Sequence, residues 1–146
     1  MNAIMTAQAM LAHYEIGREL TLFARAMDDR DWPSIGAILA DDATADYGTG
    51  TLTGSDAIIA TIRRYLDACG TTQHLLGNLI VDAEGDRARS RCYVSDMHLG
   101  RNDAPEPNFR SLGDYHDLWV RIDGRWRLSE RLKLNRALIG SMDVFG

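Results

Sequence analysis

The sequence predicts one α+β domain, in which three N-terminal helices pack on a strongly curved, mostly antiparallel sheet and enclose a pocket. Three observations carry that prediction. Apolar residues recur at helical spacing as far as Leu66 and switch to period two from Gln73 onward. Asp123-Gly124, set between two alternating runs, is a strong hairpin signal. The composition, 45% hydrophobic and 25% charged over 146 residues, suits a single globular domain spanning 1–146. A chain of that length buries roughly 68–70% of its unfolded surface, enough for its own core.

Residues 6–29 carry Ile16, Leu20, Phe23 and Met27 at spacings of four, three and four, one apolar helical stripe. Asp28 falls one residue past it, at the C-terminal end, where the helix dipole disfavours a carboxylate. Asp31-Trp32-Pro33 restarts a short helix, with proline suited to the first turn and Ile35, Ile38 and Leu39 as buried positions. DDATADYGTGTLTG (41–54) reads as a short strand, a glycine-rich turn and a second short segment. Ser55 is placed to cap a third helix with the face Ile58, Ile59, Ile62, Tyr65 and Leu66, and Gly70 suits the position beyond its end. Strands are expected at 73–82, 87–99, 109–122 and 125–136. GRNDAPEPN (100–108) is a polar connection, either a plain surface loop or a rim over the pocket.

Several function classes are disfavoured. The net charge is −5 and there is no Lys/Arg-rich block, so no nucleic-acid partner is expected. Cys69 and Cys92 form neither a CxxC motif nor a disulfide framework. The N-terminal stretch lacks a basic region followed by a sustained apolar run, and no window approaches the ~20 apolar residues that span a bilayer. A cytoplasmic protein with no membrane partner is therefore expected. GTGTLTG lacks the phosphate-loop lysine and the dinucleotide spacing, and no Ser or Cys stands in a nucleophile motif, so no cofactor is expected.

Strand alternation separates the two faces of the sheet. In 87–98 the odd positions Arg87, Arg89 and Arg91 face water, so Ala88, Ser90, Cys92, Val94, Asp96 and His98 face inward. In 73–82, His74 shares a face with Leu76, Asn78 and Ile80. The interior then holds His74, Asp96 and His98 together. A buried carboxylate is costly unless paired, so Asp96 is either paired there or reaches solvent with His98 at the strand end. A metal triad of Asp96, His98 and His116 is disfavoured because His116 and Tyr115 have opposite parity, and no metal is expected. Leu118, Val120 and Ile122 make the outer face apolar, which calls for cover.

FARAMDDRDWPSIGAILADDATADYG (23–48), TQHLLGN (72–78) and GDYHDLWVRIDGRWRLSER (113–131) resemble the SnoaL-like group of the NTF2-like superfamily. The resemblance implies an α+β cone. It is strongest to the pattern of scytalone dehydratase and hexachlorocyclohexane dehydrochlorinase, where an Asp at the end of the first helix orients a His that acts as base. Asp28 and His74 match those positions, and Tyr47 matches a substrate-polarising tyrosine. Asp96 matches an acid of bile-acid 7α-dehydratase, and His98 a second histidine of scytalone dehydratase. Tyr115 and Arg131 match pocket positions, although simple alternation turns Arg131 outward with Arg125, Arg127 and Lys133 unless the polar face lines the cavity or a bulge intervenes. Cys92, Val94 and Leu76, facing inward, complete the expected substrate-binding wall. One departure is Met27, where scytalone dehydratase has a tyrosine.

The resemblance implies a cofactor-independent lyase or isomerase acting on an apolar cyclic or polycyclic molecule. His74 is the expected base, Asp28 its orienter, and Tyr47, Asp96 and His98 the candidate acids or polarising groups. The alternatives are a non-catalytic small-molecule-binding protein of the same fold, or an accessory subunit. Relatives oligomerise through the outer sheet face, so a homo-oligomer is expected, a trimer before a dimer.

Overall fold

The computed structural model describes residues 6–146. The first five residues of the expected 1–146 domain lie outside the described part. Helix α1 (Ala7–Asp29) starts where the Thr6 side chain accepts the Ala9 N–H and buries Ile16, Leu20, Phe23 and Met27. It stops at Arg30, whose left-handed backbone (φ 58°) turns the chain out of the helix. Helix α2 (Trp32–Ile38) is capped by the Asp31 carboxylate, with proline in its first turn. Helix α3 (Ser55–Leu66) buries Ile58, Ile62 and Leu66.

Six strands form one curled, unclosed sheet: β1 (Leu39–Asp46), β2 (Thr51–Thr53), β3 (Thr72–Glu84), β4 (Arg87–His98), β5 (Phe109–Ile122) and β6 (Arg125–Gly140). Their order is β2-β1-β6-β5-β4-β3, and every pairing is antiparallel except β1 with β6. With the helices packed on its inner face, this is the α+β cone that the period change and the resemblance lead one to expect. Trp119, Trp126 and Leu128 fill its lower interior against α1. The two indole N–H groups donate to the Ser90 hydroxyl and to the Glu15 carboxylate, so neither is left unpaired. Among the described residues, no helix is long and apolar enough to cross a membrane.

Two sequence expectations at α3 are corrected. Ser55 is the first helical residue, not the cap; Gly54 holds that position and no side chain caps the helix. Gly70 is needed for space rather than for ending the helix. A Cβ there would collide with the Gly100 carbonyl oxygen, which marks where the start of β3 meets the 100–108 loop.

Three bulges reset strand parity, one in β3 and two in β6, at Ser129 and at Arg136. In β3, Asn78 (φ 55°) takes a left-handed backbone between the Gly77 and Ile80 pairings. Beyond it, Leu79 and Val81 pack on the core and Ile80 is exposed, so Asn78 and Ile80 do not continue the His74 face. In β6 the register shifts between Leu118 and Trp119 of its partner, leaving Ser129 as the extra residue. Arg131, Lys133 and Asn135 therefore turn inward while Leu132 and Leu134 turn out.

Candidate active site

The wide end of the cone holds a cavity of about 280 Å³. Its walls come from the end of α1 (Met27), the β1 end (Tyr47), α3 (Ile62, Tyr65), the inner strand faces and the final turn (Met142, Phe145). His74, Asp96, His98, Tyr115 and Tyr47 all line it, with Lys133 and Asn135.

His74 and Asp28 form a dyad. His74 Nδ1 lies 2.7 Å from Asp28 Oδ1, and Asp28 Oδ2 accepts the backbone N–H of His74 at 3.0 Å. Thr72 Oγ1 donates to Asp28 Oδ1 (2.9 Å) and accepts from the Arg30 guanidinium (2.9 Å). Burial pushes the Asp28 carboxyl up, but the His74 ring, the His74 amide and Thr72 together hold it below its ordinary value. A carboxylate only accepts, so Nδ1 carries the proton and donates. Nε2 of the neutral ring is then an acceptor, with no protein partner among the described residues.

The dipole problem at Asp28 has a local solution. Arg30 donates to the carbonyls of Met27 (2.9 Å) and Asp28 (3.3 Å) and reaches Gly70 O across the gap to β3 (2.7 Å). A guanidinium at the helix C-terminus offsets the negative end of the dipole. It also ties α1 to the strand that carries His74.

Asp96 is paired. It accepts from Ser111 N (2.9 Å), Ser111 Oγ (2.6 Å) and Lys133 Nζ (2.9 Å). Burial raises its pKa, but Lys133 and Ser111 outweigh burial and keep it a carboxylate. His98 donates Nδ1–H to Phe109 O (3.1 Å) and packs edge-on against Phe145, with ring centroids 5.1 Å apart. Burial pushes its pKa down to about 4, with Asp96 opposing and His74 assisting. In these states Asp96 carries no proton, and the one N–H of neutral His98 is spent on the Phe109 carbonyl. The His98 shift has a testable sign. The unfolded imidazole binds a proton below about 6.5 and the folded one only below about 4. Stability is full above pH 6.5 and drops by on the order of 3 kcal/mol on the way to pH 4. Asp28 and Asp96 act lower, as the pH falls below the ordinary carboxylate value of 3.8. Urea denaturation at pH 7 and 4.5 should show this loss in wild type and not in His98→Phe; a flat wild-type profile contradicts it.

Arg131 is the clearest correction. The Ser129 bulge turns it inward, so it is not solvent-facing, but it lies beneath the cavity rather than in it. Its Nε and Nη2 each donate to Asp117 at 2.9 Å, and its guanidinium stacks 3.8 Å over the Tyr115 ring. Arg131 Nη1 and the Tyr47 hydroxyl are buried with no hydrogen-bond partner among the described residues. Burial raises the Tyr47 pKa while Arg131 opposes it, so the phenol keeps its proton. Cys92, Val94 and Leu76 also leave the expected wall. Val94 is core, and Cys92 and Leu76 border a more open groove between α1 and β3, because the cone below Asp96 is filled. His116 is exposed on the outer face, opposite His98. Among the described residues, no three His, Cys, Asp or Glu side chains gather at metal-holding spacing.

Sequence reasoning missed Lys133 and Ser111. A signal for Lys133 was present: it is the chain's single lysine among sixteen basic residues. A lysine paired to a buried carboxylate sits where fifteen other choices in this chain were arginine.

A family model described as a SnoaL-like domain matches residues 8–132. The chain belongs to the SnoaL-like family. This SnoaL-like domain is 28% identical over 123 residues to uncharacterized protein Rv2910c of Mycobacterium tuberculosis, covering 82% of each chain. Its fold matches a candidate scytalone dehydratase from Novosphingobium aromaticivorans with a TM-score of 0.81, at 21% identity over 90% of this chain and 89% of that one. It also matches LinA with a TM-score of 0.80, at 18% identity over 90% of each chain; a second LinA structure carries the name hexachlorocyclohexane dehydrochlorinase. At these identities the structural likeness establishes a shared cone.

Proposed function

We propose that this SnoaL-like domain is a cofactor-independent lyase or isomerase that abstracts a proton from an apolar cyclic small molecule. The observation that carries the reading is His74 in the cavity wall, its Nδ1 held at 2.7 Å by a carboxylate that burial has not neutralised. Nε2 takes the proton from carbon, and Asp28 stabilises the imidazolium that results. In an elimination, the C–H electron pair forms the double bond and the leaving oxygen departs as water with a proton from a wall donor such as Tyr47. In an isomerisation, the imidazolium returns its proton at another carbon. The dehydratase and dehydrochlorinase names among the structural relatives accord with this chemistry. The test is deuterium uptake from D₂O into cyclic ketones at the carbon beside the carbonyl. Uptake above the buffer rate is expected, and uptake at the buffer rate across a panel of such ketones overturns the reading.

One observation favours a second reading, a protein that binds without reacting. Asp28 also accepts the His74 amide and the Thr72 hydroxyl, so the pair fastens helix to strand whether or not the ring reacts. Ligand binding without deuterium uptake is the result that selects it.

The outer sheet face supports a homo-oligomer, with a trimer as the working state by resemblance. Leu118 (43% exposed), Leu132 (37%) and Leu134 (43%) are exposed on the outer face of β5 and β6, set among Glu130, His116 and Asp114, and burial against another copy would cover them. Light scattering should give a multiple of the 16.3 kDa chain, and Leu132→Asp should lower it. A monomer mass in the wild type excludes the assembly. The two thiols Cys69 and Cys92 are unpaired, which suits a reducing compartment such as the cytoplasm.

A further inference from the structure

We propose that Lys133 sets the charge and functional-group preference of the cavity: it donates one hydrogen bond to a neutral oxygen of the bound molecule and excludes carboxylates. The proposal rests on the cavity being the substrate site and deepens that reading.

An ammonium has three N–H bonds. Lys133 spends one on Asp96 Oδ2 (2.9 Å) and one on Ser111 Oγ (2.7 Å). The third has no protein acceptor among the described residues, and Lys133 lines the cavity. The side chain is 12% exposed and lines the cavity, so a molecule bound there comes within reach of the free donor.

Charge decides what that donor accepts. Asp96 is buried, accepts two further bonds from Ser111 and is held as a carboxylate, so it neutralises Lys133 at a salt-bridge distance. The pair presents a strong donor with no net positive charge. A carboxylate ligand gains little from a cation already compensated and is repelled by Asp96, while its own desolvation is costly. A neutral carbonyl or hydroxyl oxygen pays no such cost and takes a charge-assisted hydrogen bond. The network also leaves the lysine little freedom, since both its partners sit on neighbouring inner strand positions, Ser111 opposite Asp96. His74 and Lys133 stand on strands separated by two others. A bound ring is thereby held by its oxygen at one wall with its C–H bonds presented to the other.

The test uses 1-decalone labelled with ¹³C at the carbonyl, and decalin-1-carboxylate as the anionic probe. Infrared difference spectra of the bound ketone read the hydrogen bond directly, and a clamp that merely holds strands together would not move it. A lower C=O stretching frequency is expected in the wild type than in Lys133→Met, with Lys133→Arg retaining part of the shift. Ketone affinity should fall roughly 10- to 100-fold in Lys133→Met, the range for a hydrogen bond to a charged group. Asp96→Asn, which removes the neutralising charge, should turn the preference toward the carboxylate. His74→Gln should leave the carbonyl shift in place, so failure of the proton-abstraction reading appears as absent deuterium uptake with the shift intact. An identical carbonyl frequency in wild type and Lys133→Met, or tighter carboxylate than ketone binding in the wild type, overturns the proposal.

Discussion

His74→Gln lowers deuterium uptake into a cyclic ketone by roughly 10²–10⁴-fold, the usual contribution of a positioned general base. Glutamine keeps the volume and a polar end but offers no basic nitrogen. Asp28→Asn is the informative companion. It preserves the shape of the dyad and removes the anion that stabilises the imidazolium, so the rate falls although His74 remains. Its second effect is separable. Asparagine can still accept the His74 amide or the Thr72 hydroxyl with its single oxygen, so much of the anchorage between α1 and β3 persists. A His74→Gln protein that exchanges protons as fast as the wild type contradicts the dyad as the base, whatever the cavity binds.

Asp117→Ala destabilises the fold by about 3–5 kcal/mol, the cost of leaving a buried charge without its partner. Asp117 and Arg131 are both 2% exposed and joined by two bonds of 2.9 Å. Around the guanidinium are the rings of Tyr115 and Phe23, and one of its nitrogens already lacks a partner. For a domain of this size the melting temperature falls by on the order of 10 °C. Denaturation should show a lower midpoint with an unchanged slope. Replacing both residues with apolar side chains of similar volume should recover part of the loss, because the penalty belongs to the orphaned charge and not to the missing bond. A loss below about 1 kcal/mol in Asp117→Ala would mean that Arg131 is solvated or otherwise paired.

The difference between what was legible and what was not is local. Strand β4 has no bulge, so alternation alone places Cys92, Val94, Asp96 and His98 inside, and all four are buried. Strand β6 reads with the wrong phase from Ser129 until a second extra residue, Arg136, restores it, because each extra residue reverses the side chains that follow. Ser129 hid Lys133 and Asn135 and made Arg131 look exposed. The Asn78 bulge did the same to Ile80 on a smaller scale. Bulges carry little compositional signature, and neither Ser129 nor Asn78 is a glycine. Facing inward also did not mean lining the cavity: the cone is packed solid below Asp96, and only tertiary packing decides at which height the space opens. The dyad was legible only through the family resemblance, which pairs Asp28 with His74. The helix dipole singled out Asp28 as a misplaced carboxylate but named no partner for it.

Strand β3 lies at the margin of the sheet, with β4 on one side only. The His74 amide points to the unpaired side, and the Asp28 carboxylate occupies it. An open margin of this kind can template the addition of a strand from another molecule. A fixed negative charge on its outward amide blocks that addition where the chain enters the strand, and α1 shields the margin further along. The Asp28 carboxylate therefore has two separate contacts, one oxygen on the His74 ring and the other closing the open amide of the strand edge.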